Sequence, residues 1–428
     1  MKQYAAMSRE ELLEERSDLQ KAYKGFEEAG LSLNMARGKP APSQLDLSMD
    51  MLKILTDAED LKSESGDVRN YGAMDGIAEA KQLMAGMLEC DPANVIVLGN
   101  ASLNIMYDMV ARSYAFGVMG STPWCKLDKV KFLCPVPGYD RHFAVTADFG
   151  IEMINIPMTP DGPDMDKVEE LVNNDPAVKG IWCVPKYSNP QGVVYSDETV
   201  KRFAALKPAA EDFRIFWDNA YCVHHLYDDE SKQGKLLNIL EECAKAGNPD
   251  MVYEFGSTSK VTFAGAGISA VASSENNLAE IKKHLTIQTI GHDKINQIRH
   301  VRFLKDRAGI DAHMKKHAAL LAPKFEMVEK LLNDEIVSRG IGSFLHVNGG
   351  YFICFESLPG CAKDIVAKCK AAGVVLTGAG APFPYGKDPE DSVIRIAPSY
   401  PEIDDLKKAM EVFVVCVRLA SVEKLLGE

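Results

Sequence analysis

A lysine in apolar surroundings, Lys260, is the residue of this sequence best suited to covalent chemistry. It follows an apolar run at residues 251–255, which predicts a buried strand, and small and apolar residues continue after it. Burying an ammonium group is costly, so such a lysine either turns its head to solvent or has its pKa lowered until the neutral amine can act as a nucleophile. Lysines that form Schiff bases are of the second kind. An exposed lysine at a strand end is the alternative, because lysine is mostly exposed.

Two other charged residues lie in apolar patterns. Asp218 ends a predicted strand at residues 213–217, and a carboxylate at the buried end of a strand needs a cationic partner. A helix N-cap is the alternative for this aspartate. Arg395 lies in the apolar stretch VIRIAP, where its planar guanidinium would bind a carboxylate through two hydrogen bonds. That carboxylate belongs either to a ligand or to an acidic side chain of the protein.

A short run of small residues is a candidate anion site. Asn100, Ala101 and Ser102 follow a predicted strand at residues 95–98 and open a helix. The free N–H groups at a helix N-terminus bind anions, and phosphate is a common ligand there. An ordinary capped helix is the alternative, because asparagine and serine are frequent caps.

The elements that position these residues alternate between strand and helix. This alternation predicts parallel βαβ units and an α/β fold, and ligands of open α/β sheets bind beyond the carboxyl ends of the strands. Most of the candidate site residues lie just after such ends. At the N-terminus, residues 8–29 have a helical pattern with Ser8 as the predicted N-cap. The predicted strands lie at residues 95–98, 130–134, 151–156, 181–184, 213–217 and 251–255.

Composition narrows the class of protein. A chain of 428 residues with 46% hydrophobic and 25% charged residues predicts a globular protein of two domains. A formal charge of −13 argues against nucleic acid and anionic membranes as partners, since both attract basic surfaces. Ten cysteines without a C-x-x-C pair indicate neither a metal site nor a redox dithiol. The absence of a signal-like or membrane-spanning apolar run predicts a cytoplasmic protein.

Six motifs, taken in order, resemble those of the fold type I pyridoxal-phosphate aminotransferases, and in particular a bacterial subgroup of aspartate aminotransferases. The resemblance covers nearly the whole chain, and the order and spacing of the motifs are more specific than any one of them. The motifs are the turn at residues 100–102, Tyr139 in PVPGYDRHF, Asn189 in YSNPQG, Asp218 and Tyr221 in DNAY, Lys260 in STSK, and Arg395.

The resemblance implies pyridoxal 5'-phosphate as cofactor, linked to Lys260. It places Asp218 at the pyridine nitrogen, Tyr139 against the ring face, and Asn189 and Tyr221 at the phenolic oxygen. It also implies a homodimer in which Tyr71 reaches the cofactor phosphate of the other subunit. One departure concerns the phosphate, since Ile268 stands where most relatives have an arginine. The remaining phosphate ligands implied are Asn100, Ala101, Ser102, Ser257 and Ser259.

For the substrates, the resemblance assigns the α-carboxylate to Arg395 and places Gly38 at the mouth of the active site. In aspartate-specific relatives a cation from the loop near residue 294 crosses the dimer interface to hold the distal carboxylate. Lys294 lies about there, and a solvated lysine is the alternative. Arg37 and Arg141 are the other candidates.

The implied function is transamination between an L-amino acid, aspartate or glutamate, and a 2-oxo acid such as 2-oxoglutarate or oxaloacetate. A β-lyase or decarboxylase on the same scaffold would use the same lysine and aspartate. A regulator that binds the cofactor without turnover is disfavoured, because we expect no room for an N-terminal DNA-binding module. The implied architecture is an N-terminal arm with part of the small domain at residues 1–50, a large domain with a mostly parallel sheet of the seven-stranded type at 51–322, and a small α/β domain at 323–428.

Overall fold

The structure, a computed structural model, describes residues 2–427. Helices α1 to α13 span Arg9–Glu28, Pro42–Asp46, Ala78–Leu88, Ser102–Phe116, Asp140–Asp148, Met165–Asn174, Asp197–Ala204, Ile239–Lys245, Glu275–Gln288, Lys294–Leu304, Arg307–Glu335, Ala362–Ala371 and Ile403–Leu426. Strands β1 to β15 span Leu33–Asn34, Lys62–Ser63, Gly66–Asp67, Val95–Val97, Lys131–Val136, Glu152–Thr159, Gly162–Pro163, Val178–Cys183, Arg214–Asp218, Val252–Ser257, Ser269–Ala272, Gly342–Phe344, Ile353–Ser357, Val374–Val375 and Val393–Ile396.

A central sheet of eight strands has the order β4-β11-β10-β9-β8-β5-β6-β7. Strands β10, β9, β8, β5 and β6 run parallel to one another. Strand β11 is antiparallel to both β10 and β4, and the two-residue strand β7 is antiparallel to β6 at the edge. The expected α/β fold with a mostly parallel sheet is therefore confirmed, with β7 as a short additional edge strand.

Every strand predicted from the sequence is present, as β4, β5, β6, β8, β9 and β10. Their apolar runs form strands because both faces of the sheet are covered by helices, and β8 and β9 are buried along their whole length. Phe216 packs on one face with Met106 of α4, and Trp217 packs on the other with Phe203 of α7. Strand β11 was not predicted, because four small residues directly after the Lys260 loop give little strand signal.

The two ends of the described chain pack together. Helix α1 begins after Ser8, whose hydroxyl accepts the Glu11 N–H while the Glu11 carboxylate accepts the Ser8 N–H, so the predicted cap is a capping box. The helix lies against α13, and Arg418 of α13 forms an ion pair with Glu15 of α1 at 2.5 Å. The N-terminal helix thus belongs to the C-terminal part of the fold.

A second layer follows the large sheet in the chain. Strands β12, β13 and β15 form an antiparallel sheet, and β1 pairs in parallel with β14. Helix α11 is continuous through Pro323, so the boundary expected at residues 322–323 lies inside a helix. The division of the chain into domains stays a prediction. Among residues 2–427, no helix combines the length and apolar character needed to cross a membrane.

Candidate active site

A cavity of about 510 Å³ lies at the carboxyl ends of β4, β5, β8, β9 and β10, where the second layer meets the large sheet. Ligands of open α/β sheets bind at this edge. The structure brings most of the predicted site residues together in its wall. Those that line it are Arg37, Gly38, Ala101, Ser102, Tyr139, Arg141, Asn189, Asp218, Tyr221, Ser257, Ser259, Lys260 and Arg395.

Lys260 lies in the loop that joins β10 to β11, and the pairing of Ser257 with Ser269 holds both ends of this loop. Its Nζ is 4.8 Å from the centre of the Tyr221 ring and, within residues 2–427, makes no hydrogen bond or ion pair. Burial lowers the pKa of Lys260, and the nearby Asp218 carboxylate opposes this shift. The interpretation of this lysine as an amine with a lowered pKa is therefore the one that the geometry favours.

Asp218 is the last residue of β9 and does not cap a helix. Its Oδ2 lies 3.0 Å from Nε2 of His142, whereas its Oδ1 is buried and has no hydrogen-bond partner. A buried carboxylate oxygen without a partner is costly, so Oδ1 is available to a donor brought by a ligand. The structure thus gives one oxygen of Asp218 a histidine as its partner and leaves the other oxygen for a ligand.

His142 was not singled out in the sequence. It lies on α5, stacked on Trp182 with ring centres 4.5 Å apart and edge-on to Tyr139 at 4.9 Å. The Trp182 indole donates to Thr146 Oγ1, whose hydroxyl donates to the His142 carbonyl. The only sequence signal for His142 was its distance of three residues from Tyr139 at the start of a helix. This spacing places the two side chains on one face of the helix.

Two of the predicted site residues, Tyr221 and Asn189, lie in the same cavity wall. Tyr221 is 2% exposed, and its pKa is raised well above the ordinary value by burial and by the nearby Tyr139 and Asp218. Asn189 accepts a hydrogen bond from Arg395 through Oδ1, and its amide nitrogen makes no hydrogen bond in the described chain. The amide nitrogen of Asn189 can therefore donate to an acceptor in the cavity.

The predicted anion site consists of a helix N-terminus and two hydroxyls. The N-cap of α4 is Ala101, which offers no side-chain cap, so the alternative of an ordinary capped helix is wrong. Ser257 Oγ and Ser259 Oγ are 3.0 Å apart. Asn100 does not line the cavity, but its carbonyl accepts the Ser259 hydroxyl at 3.3 Å. The N–H groups of α4 and the two hydroxyls form a cradle suited to a phosphate.

Ile268 lies outside this cradle. It is 2% exposed, its N–H donates to Thr258 Oγ1, and its carbonyl accepts the Thr258 N–H. The position for which the resemblance implied an arginine is therefore part of the core. The cations that line the cavity are Arg37, Lys39, Arg141, Lys260 and Arg395, against the carboxylates Asp140 and Asp218.

Of the two alternatives left open for Arg395, the structure contains the contact with an acidic side chain, and the role toward a ligand stays a prediction. Arg395 lines the cavity, and its Nη1 also donates to Asp140 Oδ1 at 2.7 Å. The guanidinium lies over the Phe352 ring with Cζ at 4.9 Å from the ring centre. Phe352 also explains Gly38, since a Cβ at this glycine would lie 2.3 Å from the ring.

Tyr71 and Lys294 do not line the cavity of this single chain. Tyr71 is 79% exposed, whereas Lys294, the first residue of α10, is 8% exposed. Gly291 lies close to Lys294 and to the residue that follows Tyr71. A Cβ built on this glycine would lie 3.0 Å from the Gly72 carbonyl and 3.2 Å from Lys294 Nζ. Their roles at a neighbouring subunit stay predictions.

A buried polar network lies behind Lys260 and was missed in the sequence. Gln44 of α2 donates to the Tyr351 hydroxyl at 2.9 Å, and its amide nitrogen is 3.2 Å from His317 Nδ1. The Tyr351 hydroxyl in turn lies 3.5 Å from the Lys260 carbonyl. Residues just after the Arg37 segment are thereby connected to the backbone of Lys260.

Comparison with known proteins places these features in a family. A family model described as "Aspartate amino-transferase" matches residues 7–428. An aspartate aminotransferase of Corynebacterium glutamicum is 43% identical over 433 residues, covering 99% of each chain. The crystal structure of an aspartate transaminase of the same organism has a TM-score of 0.94 at 43% identity and covers 98% of both chains. An α-aminoadipate aminotransferase of Thermus thermophilus, solved with N-(5'-phosphopyridoxyl)-L-leucine, shares the fold at 18% identity, with a TM-score of 0.73 over 92% of this chain and 93% of that one.

Proposed function

The chain belongs to the aspartate aminotransferase family, and on that premise we propose that it uses pyridoxal 5'-phosphate to transfer an amino group from L-aspartate or L-glutamate to a 2-oxo acid. Family membership and the relatives make it an aspartate aminotransferase-like enzyme. The observation that carries the finer proposal is the meeting of Lys260 and the unpartnered Oδ1 of Asp218 in one cationic cavity.

The residues of the cavity fit this cofactor. Asp218 Oδ1 would accept a hydrogen bond from the protonated pyridine nitrogen. This bond would give the buried carboxylate oxygen the donor that it lacks. Tyr139 and Ala220 line the cavity beside Asp218 and provide surfaces for the ring. The α4 N-terminus and the Ser257 and Ser259 hydroxyls would hold the phosphate, without an arginine at position 268. When bound, the cofactor supplies an electron sink for charge that develops at the substrate α-carbon.

The side chains of this chain then have separate tasks. Burial lowers the pKa of Lys260 and so favours the neutral amine, whose Nζ would take the proton from the substrate α-carbon and deliver it to the cofactor carbon. Asp218, oriented by His142, would accept a hydrogen bond from the cofactor nitrogen. Asn189 and Tyr221 line the same cavity and would donate to the phenolic oxygen.

Substrate recognition follows from charge. Arg395 would bind the α-carboxylate through its planar guanidinium. Arg37 and Arg141 line the same cavity, and a second carboxylate of aspartate or glutamate fits this excess of positive charge in a protein with a net charge of −13. Lys294 is the candidate that would come from a second subunit.

We also propose a homodimer. Tyr71, Ile287 and Ile290 are 79%, 89% and 63% exposed, which is unusual for large apolar side chains. The segments that carry them are adjacent, because Gly291 approaches the Gly72 carbonyl. A second copy that covers this surface would bury the isoleucines, and Tyr71 of each subunit would reach the cavity of the other subunit.

The test is an absorbance spectrum of the purified protein before and after addition of L-aspartate. We expect the band of the lysine-linked cofactor to be replaced by that of the amine form, and 2-oxoglutarate to restore it. Lys260→Ala should abolish this exchange, whereas Lys207→Ala, at an exposed lysine outside the cavity, should leave it unchanged. A protein without any cofactor band would contradict the proposal. Release of ammonia or carbon dioxide without the amine form would instead identify a lyase or decarboxylase.

A further inference from the structure

The arginine assigned to the substrate carboxylate is already in contact with a carboxylate of the protein. Arg395 Nη1 donates to Asp140 Oδ1 at 2.7 Å and to Asn189 Oδ1 at 3.2 Å. Nη2 has only a 3.4 Å contact with Thr377 Oγ1, and Nε is buried without a partner. Asp140 therefore occupies one of the two terminal nitrogens through which the guanidinium would bind a carboxylate end-on.

Asp140 is open to the cavity, and Arg395 is not open to bulk solvent. The side chain of Asp140 is 34% exposed, against 7% for Arg395, and both line the cavity. The second carboxylate of the cavity wall in the described chain, Asp218, is held by His142. Asp140 thus has room to leave Arg395 from the side on which a ligand would arrive.

Its place in the chain favours such a movement. Asp140 is the first residue of α5, where the partial positive charge of the helix N-terminus stabilises an anion whether or not the side chain contacts Arg395. Arg395, by contrast, is buried and would be without an anionic partner if both Asp140 and a ligand were absent. The contact therefore stabilises the buried Arg395 more than it stabilises Asp140.

We propose that Asp140 is an internal competitor for the substrate α-carboxylate: it pairs with Arg395 when no substrate is bound and is displaced by the carboxylate that enters. The inference rests on the proposed function, because it takes Arg395 as the carboxylate-binding residue. Two carboxylates at one guanidinium nitrogen repel each other, so the two cannot bind there together without loss of affinity. Asp140 consequently lowers the affinity of Arg395 for carboxylate ligands.

The size of the effect follows from competition. The apparent dissociation constant equals the intrinsic one divided by the fraction of molecules with Arg395 unpaired, so a pair formed in about nine of ten molecules weakens binding about tenfold. Asp140→Asn keeps the shape of the side chain and removes its charge. We therefore expect this variant to bind a carboxylate about tenfold more tightly than the wild type.

The experiment is a calorimetric titration of the holoenzyme with succinate, a dicarboxylate that has no amino group and cannot react. Asp140→Asn should bind it about tenfold more tightly. Asp197→Asn is the matched control, since Asp197 is also the first residue of a helix, is exposed, and lies outside the cavity. It should bind succinate like the wild type. Unchanged or weaker binding by Asp140→Asn would overturn the inference and make Asp140 a residue that positions Arg395.

Arg395→Lys separates this inference from the proposed function. If Arg395→Lys binds succinate as the wild type does, or if the wild type does not bind succinate at all, the carboxylate assignment of the proposed function fails. If Arg395→Lys loses binding while Asp140→Asn gains none, only the competition fails. A crystal structure of the wild type with succinate decides the matter independently of any variant: a carboxylate on Arg395 with Asp140 moved away is expected, and one bound while the 2.7 Å contact persists would contradict the inference.

Discussion

His142 Nε2 lies 3.0 Å from one oxygen of Asp218, and the other oxygen of the same carboxylate is buried without a partner. The histidine fixes the orientation of the carboxylate, and the stack on Trp182 fixes the histidine. Asp218 therefore presents Oδ1 to the cavity before any ligand arrives. Such preorganisation reduces the free energy that is lost in ordering the site when a ligand binds.

Removing His142 should weaken cofactor binding. His142→Ala takes away the hydrogen bond that orients Asp218, and hydrogen bonds to charged groups contribute about 1.5–3 kcal/mol, so we expect about a tenfold or greater rise in the dissociation constant of pyridoxal phosphate. An absorbance titration of the cofactor-free protein measures it. His346→Ala, at an exposed histidine paired with Glu329, is the control. Equal affinities of His142→Ala and wild type would show that Asp218 needs no second partner.

Restoring the arginine of most relatives should not restore a phosphate clamp. Ile268 is in the core, so Ile268→Arg buries an unpaired charge and should destabilise the fold by about 3–5 kcal/mol. Ile268→Val should cost only about 1 kcal/mol. Urea unfolding measures both. A stable Ile268→Arg protein with tighter phosphate binding would place this position in the cavity after all.

Acid should destabilise the protein through buried neutral histidines. Burial lowers the pKa of His300 and of His317 to about 4 from an ordinary value of 6.5, so between these limits the unfolded chain binds protons that the folded chain does not. The free energy of unfolding therefore falls as the pH falls below 6.5, by about 2 kcal/mol for each histidine at pH 5.

His317→Gln tests this contribution. The loss of stability between pH 7 and pH 5, measured by urea unfolding, should be smaller in the variant than in the wild type. Val328→Ala, a truncation of a buried residue on the same helix α11, should cost the same free energy at both values. An identical pH dependence in His317→Gln and wild type would assign the acid sensitivity to other groups.

Gln44 and Tyr351 should be energetically coupled. Gln44→Leu and Tyr351→Phe each leave a buried polar group without its partner, which costs about 1–3 kcal/mol. Because they remove the same hydrogen bond, the double variant should be less destabilised than the sum of the single ones by about 1 kcal/mol. Urea unfolding of the four proteins gives the cycle. Strict additivity would mean that the 2.9 Å contact contributes nothing.

The sequence predicted the sheet and the wall of the cavity because their signals are local. A strand buried on both faces is a continuous apolar run, and an ionisable residue such as Lys260, Asp218 or Arg395 stands out at the end of such a run or inside it. The turns that follow the strands then converge at one edge of the sheet. The order of the motifs, together with the rule that ligands of open α/β sheets bind at the carboxyl ends of the strands, was sufficient to predict that these residues lie together.

The partners of the same residues could not be predicted. His142 is separated from Asp218 by 76 residues, Asp140 from Arg395 by 255, and Gln44 from Tyr351 by 307. Nothing in a polar side chain specifies which distant polar group it will meet, since that depends on how the layers pack. Tyr71 and Lys294 are a further case, because the roles predicted for them belong to the cavity of a second subunit.

The hairpin that carries Lys260 should be folded whether or not a ligand occupies the cavity. Strands β10 and β11 are paired up to Ser257 and Ser269, and inside the loop the Thr258 N–H donates to the Ile268 carbonyl while Thr258 Oγ1 accepts the Ile268 N–H. Amide hydrogens here should exchange with solvent only through large unfolding events, so the lysine is presented by a part of the fold that opens rarely. The lysine should therefore be presented to an incoming ligand by a loop that is already folded.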